Sequence, residues 1–436
     1  MKNPPKLSGS LPVLGHAFKF MRDPVQMIEK GYRENGEIFS ISLPGKQAYM
    51  LIGPAHNKFV FDQTDKLLSI EEAYPFFERM FSSNFFYFGG FEAYKKQKNI
   101  IIPCFKNTIM PNYLDAMIEE TNDFMESLGD AGSFDLLENF GPLVMRIAAR
   151  SFLGNDFKEK LGNEIFEDFR HFSEGMDPVT PGWVPLPKFK RSQNAKKKLK
   201  NKIYKLVEER RNSNLNKNDF LQTISTATYS NGEPVADDII IDLILLLVWA
   251  GHETTAGHIS WALIDLLQNK DYLNEVLQEQ SKIFTNAENF TMEQIRQSKK
   301  LELAIKETER LHPIAYILMR SAKTDFEYSG YNFKKGSTLF ISPAVSHQLP
   351  EVFENPKKYM PSRFENKNQI NHSLIGFGGG MHRCTGVNFA FLEMKAVLSI
   401  LLRNYNFELI TKNPKAVKGP KTKWPKPTVV RYSRII

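Results

Sequence analysis

The most reactive side chain in this sequence sits in an unusual frame. Cys384 closes the run Phe377-Gly-Gly-Gly-Met-His-Arg-Cys384-Thr-Gly386, and an apolar-periodic stretch, Val387 to Leu402, follows directly. Glycines allow tight turns and a close backbone approach to a flat ligand, and the amides at the start of a helix favour an anionic sulfur. The pattern therefore suits a held thiolate better than a buried structural cysteine. Cys104, in Ile-Pro-Cys-Phe, lacks this frame and reads as an inert core residue.

A second reactive segment is Ala250-Gly251-His252-Glu253-Thr254-Thr255. Glu253 and Thr254 pair an acid with a hydroxyl, a combination able to move protons. Glycine and hydroxyl residues also weaken a regular helix, so a widened turn is expected here. A zinc site built on His252-Glu253 would need a histidine at position 256, which is Ala256. Third, Glu307 and Arg310 lie three apart, the spacing of an ion pair on one helical face.

Taken together, Phe377-x-x-Gly380-x-His382-x-Cys384-x-Gly386 resembles the haem-binding signature of the cytochrome P450 family. The resemblance implies a mainly α fold with small β-sheets and haem b bound through Cys384 as axial iron ligand. Phe377 and Gly378 would border the haem, and His382 would hydrogen-bond a propionate. It also implies proton delivery to bound oxygen by Glu253 and Thr254. Glu307, Arg310 and Arg363, the last in Pro361-Ser-Arg363-Phe364, would form a buried structural triad supporting the haem loop.

Within the family, Tyr74-Pro-Phe76, Phe81, Leu311-His-Pro, Ile317-Leu-Met-Arg320 and Ser342-Pro-Ala resemble the sterol 14α-demethylase branch. By that likeness Tyr74, Lys95 and Arg320 contact propionates, while Phe76, Phe81, Ala250, Tyr316 and Leu318 line a substrate cavity. One departure concerns the reaction: that branch usually carries His-Thr where this chain has Glu253-Thr254. A second departure is Ala93-Tyr94, where basic residues are common, which leaves Lys95 as the propionate donor of that region. The implied activity is a monooxygenase that hydroxylates or oxidatively demethylates a lipophilic, sterol-like molecule. Fatty acids or terpenoids are alternative substrates. A P450-fold isomerase or dehydratase acting on a peroxide, or a haem sensor, would have no use for the acid–hydroxyl pair.

The elements that must position these groups follow from pattern. Residues 236–268 read as one long helix, whose apolar stretch Leu243 to Ala250 is shorter than the roughly 18 residues of a spanning segment and so reads as buried core. Thr291 to Leu311 reads as a helix opened by a Thr291…Gln294 capping box and closed by Pro313. Residues 38–52 read as a hairpin around Pro44-Gly45, and 326–342 as another turning near Lys335-Gly336. Pro181 to Pro187 reads as a rigid connector. Lys188 to Arg211 is a basic helix with Leu199, Ile203, Leu206 and Val207 on its core face; its charged side reads as solvated, with a weak membrane-surface contact as the alternative.

No repeat or flexible linker divides the 436 residues, so one domain is expected. Two cysteines are too few for a disulfide framework or for an iron–sulfur cluster held by Cys₄, and they fit a reducing, cytoplasmic setting. The prolines and glycines of residues 1–18 lead to the expectation of no membrane anchor there. Electrons must then come from a separate donor. The net charge of +8 points to an acidic one of ferredoxin or flavodoxin type, and no nucleic-acid motif competes for that charge.

Overall fold

The computed structural model describes residues 2–106, 108–155, 157–177, 180, 184–213, 217, 219–285, 290–365 and 370–435. The chain folds as two compact units. One comprises Met1–Tyr74, Leu303–Cys384 and Lys415–Lys426; the other comprises Pro75–Glu302, Thr385–Pro414 and Pro427–Ile436.

The first unit is built on a five-stranded mixed sheet, in the order Ile38–Leu43, Lys46–Leu51, Thr338–Ile341, Leu318–Ala322, Leu68–Ser69. The first two strands are the expected hairpin, with Leu43 opposite Lys46 across Pro44-Gly45. Thr338–Ile341 runs parallel to Lys46–Leu51, and the remaining pairs are antiparallel. Side chains alternate along each strand, so Tyr49, Leu51, Leu339 and Ile341 enter one apolar cluster and Ala48, Met50 and Phe340 another. Burial on both faces makes the sheet a rigid platform.

The second hairpin differs from expectation. Its strands are Phe326–Tyr328 and Tyr331–Phe333, and it turns at Ser329-Gly330, where both residues have positive φ (49° and 79°). Such two-residue turns match the twist of paired strands. Lys335-Gly336 instead links this hairpin to the large sheet, with Lys335 N–H and Lys334 Nζ both held by the Asp325 carboxylate.

Beside the sheet lies a buried charge cluster. Glu307 and Arg310 are fully buried and joined by two bonds, Arg310 Nε to Oε2 at 2.8 Å and Nη2 to Oε1 at 2.7 Å. Arg363 Nε reaches both Glu307 oxygens at 3.0–3.1 Å. The spare donors of Arg310 bind the carbonyls of His347, Pro356 and Lys358.

In the second unit, Asp237–Gln268 is a continuous helix, buried from Ile239 to Trp249. By length and apolar character it passes as a membrane span, but 78% of its most apolar window is buried, as in a core helix. The strands Ala131–Asp135, Val429–Arg434 and Tyr405–Leu409 form a small sheet. The Thr291 capping box is present, yet the helix it opens ends at Gln297, and Lys299–Leu311 is a separate helix. The break has a tertiary cause: the Glu279 carboxylate accepts from Lys299 and Lys300 N–H at 2.9 and 2.8 Å, capping the second helix from outside.

The basic helix, Pro187–Asn212, buries Leu199, Ile203, Leu206 and Val207 as expected. Lys190, Lys197, Lys198 and Lys205 are exposed on its charged side, while Lys200 pairs with the buried Asp242 at 2.6 Å and Lys202 reaches Asp168 at 3.2 Å. Pro181, Gly182 and Trp183 of the expected connector lie outside the described residues.

Replacing Glu307 by Gln leaves the buried Arg310 and the partly buried Arg363 without their shared partner. Urea unfolding should show a loss of about 3–5 kcal/mol. A loss below about 1 kcal/mol, the scale of an exposed pair, would contradict the buried geometry.

Candidate functional site

Cys384 is presented by a loop whose back is packed and whose cysteine is exposed. The loop closes on itself: Gly378 N–H donates to Ile375 O at 2.9 Å, Arg383 N–H to Gly380 O at 3.2 Å, and Cys384 N–H to Phe377 O at 2.9 Å. Gly378 and Gly380 hold φ of 72° and 62°, which side chains disfavour. Gly379 lies so close to Phe61, in the helix Pro54–Gln63, that an added Cβ would sit 2.5 Å from its ring. The glycines therefore let the loop press flat against that helix while the thiol faces outward.

Side chains of the same unit hold the loop's entry. His347 Nε2 accepts the Ile375 N–H at 2.9 Å. Glu309 accepts from the backbone of Gly376 and Phe377, and burial pushes its carboxyl up to about 8. Burial likewise lowers His347 to about 3, so it stays neutral as an acceptor.

Three of the four side chains expected at propionates, His382, Arg320 and Tyr74, lie in this unit, and two of them bond Thr64 and Asp65, which the sequence does not single out. His382 Nε2 lies 2.6 Å from Asp65 Oδ2, and the buried Arg320 donates from Nε to Thr64 Oγ1 at 2.8 Å. Thr64 and Asp65 follow the helix Pro54–Gln63, with Asp65 at φ 72°. Nothing local marks them, because their importance comes from strands far along the chain. The Tyr74 hydroxyl accepts the Met319 N–H at 3.0 Å, which places it beside Arg320. Tyr316 is buried with the Lys423 ammonium 4.6 Å above its ring, and Leu318 is half-buried opposite Ile341.

The other unit holds the remaining candidates. Glu253 is about a quarter exposed; burial, opposed by a hydrogen bond with Ser173, pushes its carboxyl up to about 6. His252 is buried, bonds Val248 O at 3.2 Å and is lowered by burial to about 4. It is a satisfied core histidine. Thr254 is exposed and its hydroxyl donates to Ala250 O at 3.0 Å. The expected widening at this turn is not found: the segment stays α-helical, because that hydroxyl adds its bond to a carbonyl without displacing the ladder. A Cβ added at Gly251 would lie in ordinary contact with Ala148 and Phe152, at 3.6 and 3.7 Å, so packing there does not require the glycine.

Phe76 and Phe81 belong to an aromatic cluster. Phe77 lies 4.8 Å from Phe76 and 6.0 Å from Trp249, and Phe81 lies 4.6 Å from Phe85 and 6.5 Å from Trp249. Ala250, next to Trp249, is exposed, as is Lys95 in the helix Gly90–Ile101. Cys104 is fully buried and its thiol is pushed up to about 12, so it is no thiolate.

With this geometry in place, three similarities are informative. A model of the cytochrome P450 family matches residues 4–430. The sterol 14α-demethylase of Mycolicibacterium vanbaalenii is 30% identical over 448 residues, spanning 100% of this chain and 98% of its own, and the human lanosterol 14-alpha demethylase is 28% identical, spanning 94% and 82%. Among solved structures, a cyanobacterial protein, CYP120A1 with retinoic acid bound, superposes with a TM-score of 0.88 at 25% identity and covers 100% of both chains.

The buried carboxyls make stability depend on pH. Glu309, and likewise the fully buried Glu393, hold protons more tightly folded than unfolded. Their contribution is complete below the unfolded carboxyl value and is lost as pH rises through the folded one. His252 and His347 are neutral when folded but protonate in the unfolded chain near pH 6.5, so they oppose this fall at the start of the window and cease to do so above about pH 7.5. Stability should thus fall between pH 6.5 and 8, by at most about 1.4 kcal/mol per pH unit for each group. Above pH 8 the depressed Lys196 begins to oppose the trend. Thermal unfolding across this window tests it, and Glu309→Gln should flatten the slope; an identical slope in the variant would contradict the assignment.

Proposed function

Because the chain belongs to the cytochrome P450 family, we propose that Cys384 would hold the iron of a haem b and that the substrate is a sterol or a similarly rigid polycyclic lipid. As a P450 monooxygenase it is an oxidoreductase that uses haem, O2, a lipophilic substrate and an external electron source. The residues fit such a cofactor. Cys384 carries an exposed sulfur at the tip of a flattened glycine loop, whereas the other cysteine is buried and protonated. His382, Arg320 and Tyr74 would be donors for its carboxylates, and Phe377 and Gly378 would border it; Lys95, in the other unit, is proposed as a further donor on the family resemblance alone. When bound, the haem supplies dioxygen activation, which a thiolate ligand favours by pushing electron density toward the iron.

The protein's part is to hold the sulfur, exclude water from the substrate and deliver protons. Glu253, at about 6, sits near working pH, where one group both holds and releases a proton efficiently. Thr254 stands next to it as the hydroxyl relay. An acidic ferredoxin or flavodoxin is the electron donor that complements the +8 charge.

End-to-end similarity to sterol 14-demethylases of bacteria, plants and animals, at 28–30% identity, carries the substrate reading. The aromatic cluster around Phe76, Phe81 and Trp249 suits a rigid apolar skeleton. Glu253, where that branch usually has histidine, bears on the reaction rather than on binding, which leaves hydroxylation and oxidative demethylation as the two outcomes. A second reading, a terpenoid acid, is favoured by the retinoic acid bound to CYP120A1.

Titrating lanosterol, retinoic acid and palmitic acid against the ferric haem band separates these readings. Lanosterol should shift the band at micromolar concentration. A shift with retinoic acid alone selects the second reading, and one with palmitic acid alone defeats both.

For proton delivery, Thr254→Ala should keep substrate binding while product formation falls about 10²-fold and electrons go to peroxide. In the wild type, product per electron should fall as pH rises through about 6 and Glu253 ionises. Glu253→Gln should lack that limb; unchanged coupling in both variants would end the relay proposal.

A further inference from the structure

The Glu307 cluster and the proton relay leave one buried acid near the loop without a role. Glu309 follows Glu307 by two residues on the helix Lys299–Leu311, about 200° around the axis, so it faces away from the charge cluster. We propose that Glu309 is a positioning residue for the thiolate, its carboxyl seated in the space left by Gly376 and holding the amides of the loop that presents Cys384.

Two independent features place it there. The carboxyl accepts from the backbone N–H groups of Gly376 and Phe377. Gly376 has no side chain where the carboxyl lies: a Cβ added there would meet Glu309 Oε1 and Cγ at 2.7 Å each. Acid and glycine therefore form a lock and its seat. With His347 on the Ile375 amide, three successive N–H groups entering the loop are each taken by a side chain. His347 is itself bonded through Nδ1 to Arg310 O at 3.3 Å, so the same helix reaches the loop by two routes. Phe377, whose amide Glu309 holds, is also the residue whose carbonyl accepts the Cys384 N–H at 2.9 Å. A shift at the seat is passed to the sulfur through one residue. The charged groups facing Glu309 are Arg383, next to Cys384, and Lys306.

The inference rests on Cys384 as the haem ligand, and the test separates the two. Amide hydrogen exchange is read on the holoenzyme over residues 375–377, together with the ferrous carbon monoxide spectrum. Glu309→Leu should speed exchange at Gly376 and Phe377 about tenfold or more, the effect of losing a strong buried acceptor. It should also move part of the carbon monoxide complex to the band of a lost or protonated thiolate. Glu309→Gln, which keeps an acceptor oxygen, should restore both readouts to near wild type. Gly376→Ala should copy Glu309→Leu, and the double variant should be no worse than either single one.

Wild-type exchange in Gly376→Ala, or additive effects in the double variant, would overturn the proposal even if Glu309→Leu fails to fold. Cys384→Ser should lose the thiolate band while Gly376 and Phe377 stay protected. Persistence of that band would reject the ligand assignment and leave the exchange result standing.

Discussion

The first unit depends on a single desolvated anion. Glu307 is fully buried and bound by two guanidinium groups, and the backbone N–H of Met360 also donates to it at 2.8 Å. A buried carboxylate is tolerable only with such partners, and the partners must in turn satisfy their remaining donors. Arg310 does so on the carbonyls of His347, Pro356 and Lys358, and Arg363 on that of Glu354. One ionised oxygen pair thus fixes segments that have no regular structure of their own. The Cys384 loop inherits its position from this arrangement through His347.

A second constraint is the division of labour among acids. Glu307 is met by two guanidinium groups, whereas Glu309 and Glu393 are pushed toward neutrality by burial. Glu253 lies between these extremes, poised near 6. Type alone does not separate them; environment does. The same holds for histidine, since His347 and His252 are neutral acceptors in the interior while His382 meets Asp65.

Much of this was legible in the chain because it rests on local spacing. The glycines and cysteine of residues 377–386, the Glu307-Arg310 pair, the long apolar helix and the first hairpin each follow from residues close in sequence. The second hairpin turn was misplaced because Lys335-Gly336 and Ser329-Gly330 are both plausible turns, and only pairing of Phe326 with Phe333 selects between them. The break before Lys299 was missed because its cap, Glu279, belongs to another helix. The helix-weakening residues around Gly251 predict a widened turn, but the Thr254 hydroxyl adds its bond to the Ala250 carbonyl without displacing the helical ladder.

By itself the sequence determined which groups exist to do chemistry: one cysteine in a glycine frame, an acid beside a hydroxyl, and an acid three residues from an arginine. Spacing along a helix or a loop is a property of the backbone and is read without partners. Only the tertiary structure decided which of these groups are charged and what holds them. Thr64 and Asp65 acquire Arg320 and His382, and Glu309 acquires the Gly376 seat, through contacts between residues tens to hundreds of positions apart. Hydrogen bonds and desolvation depend on such neighbours, and no local pattern encodes which distant strand or loop will arrive.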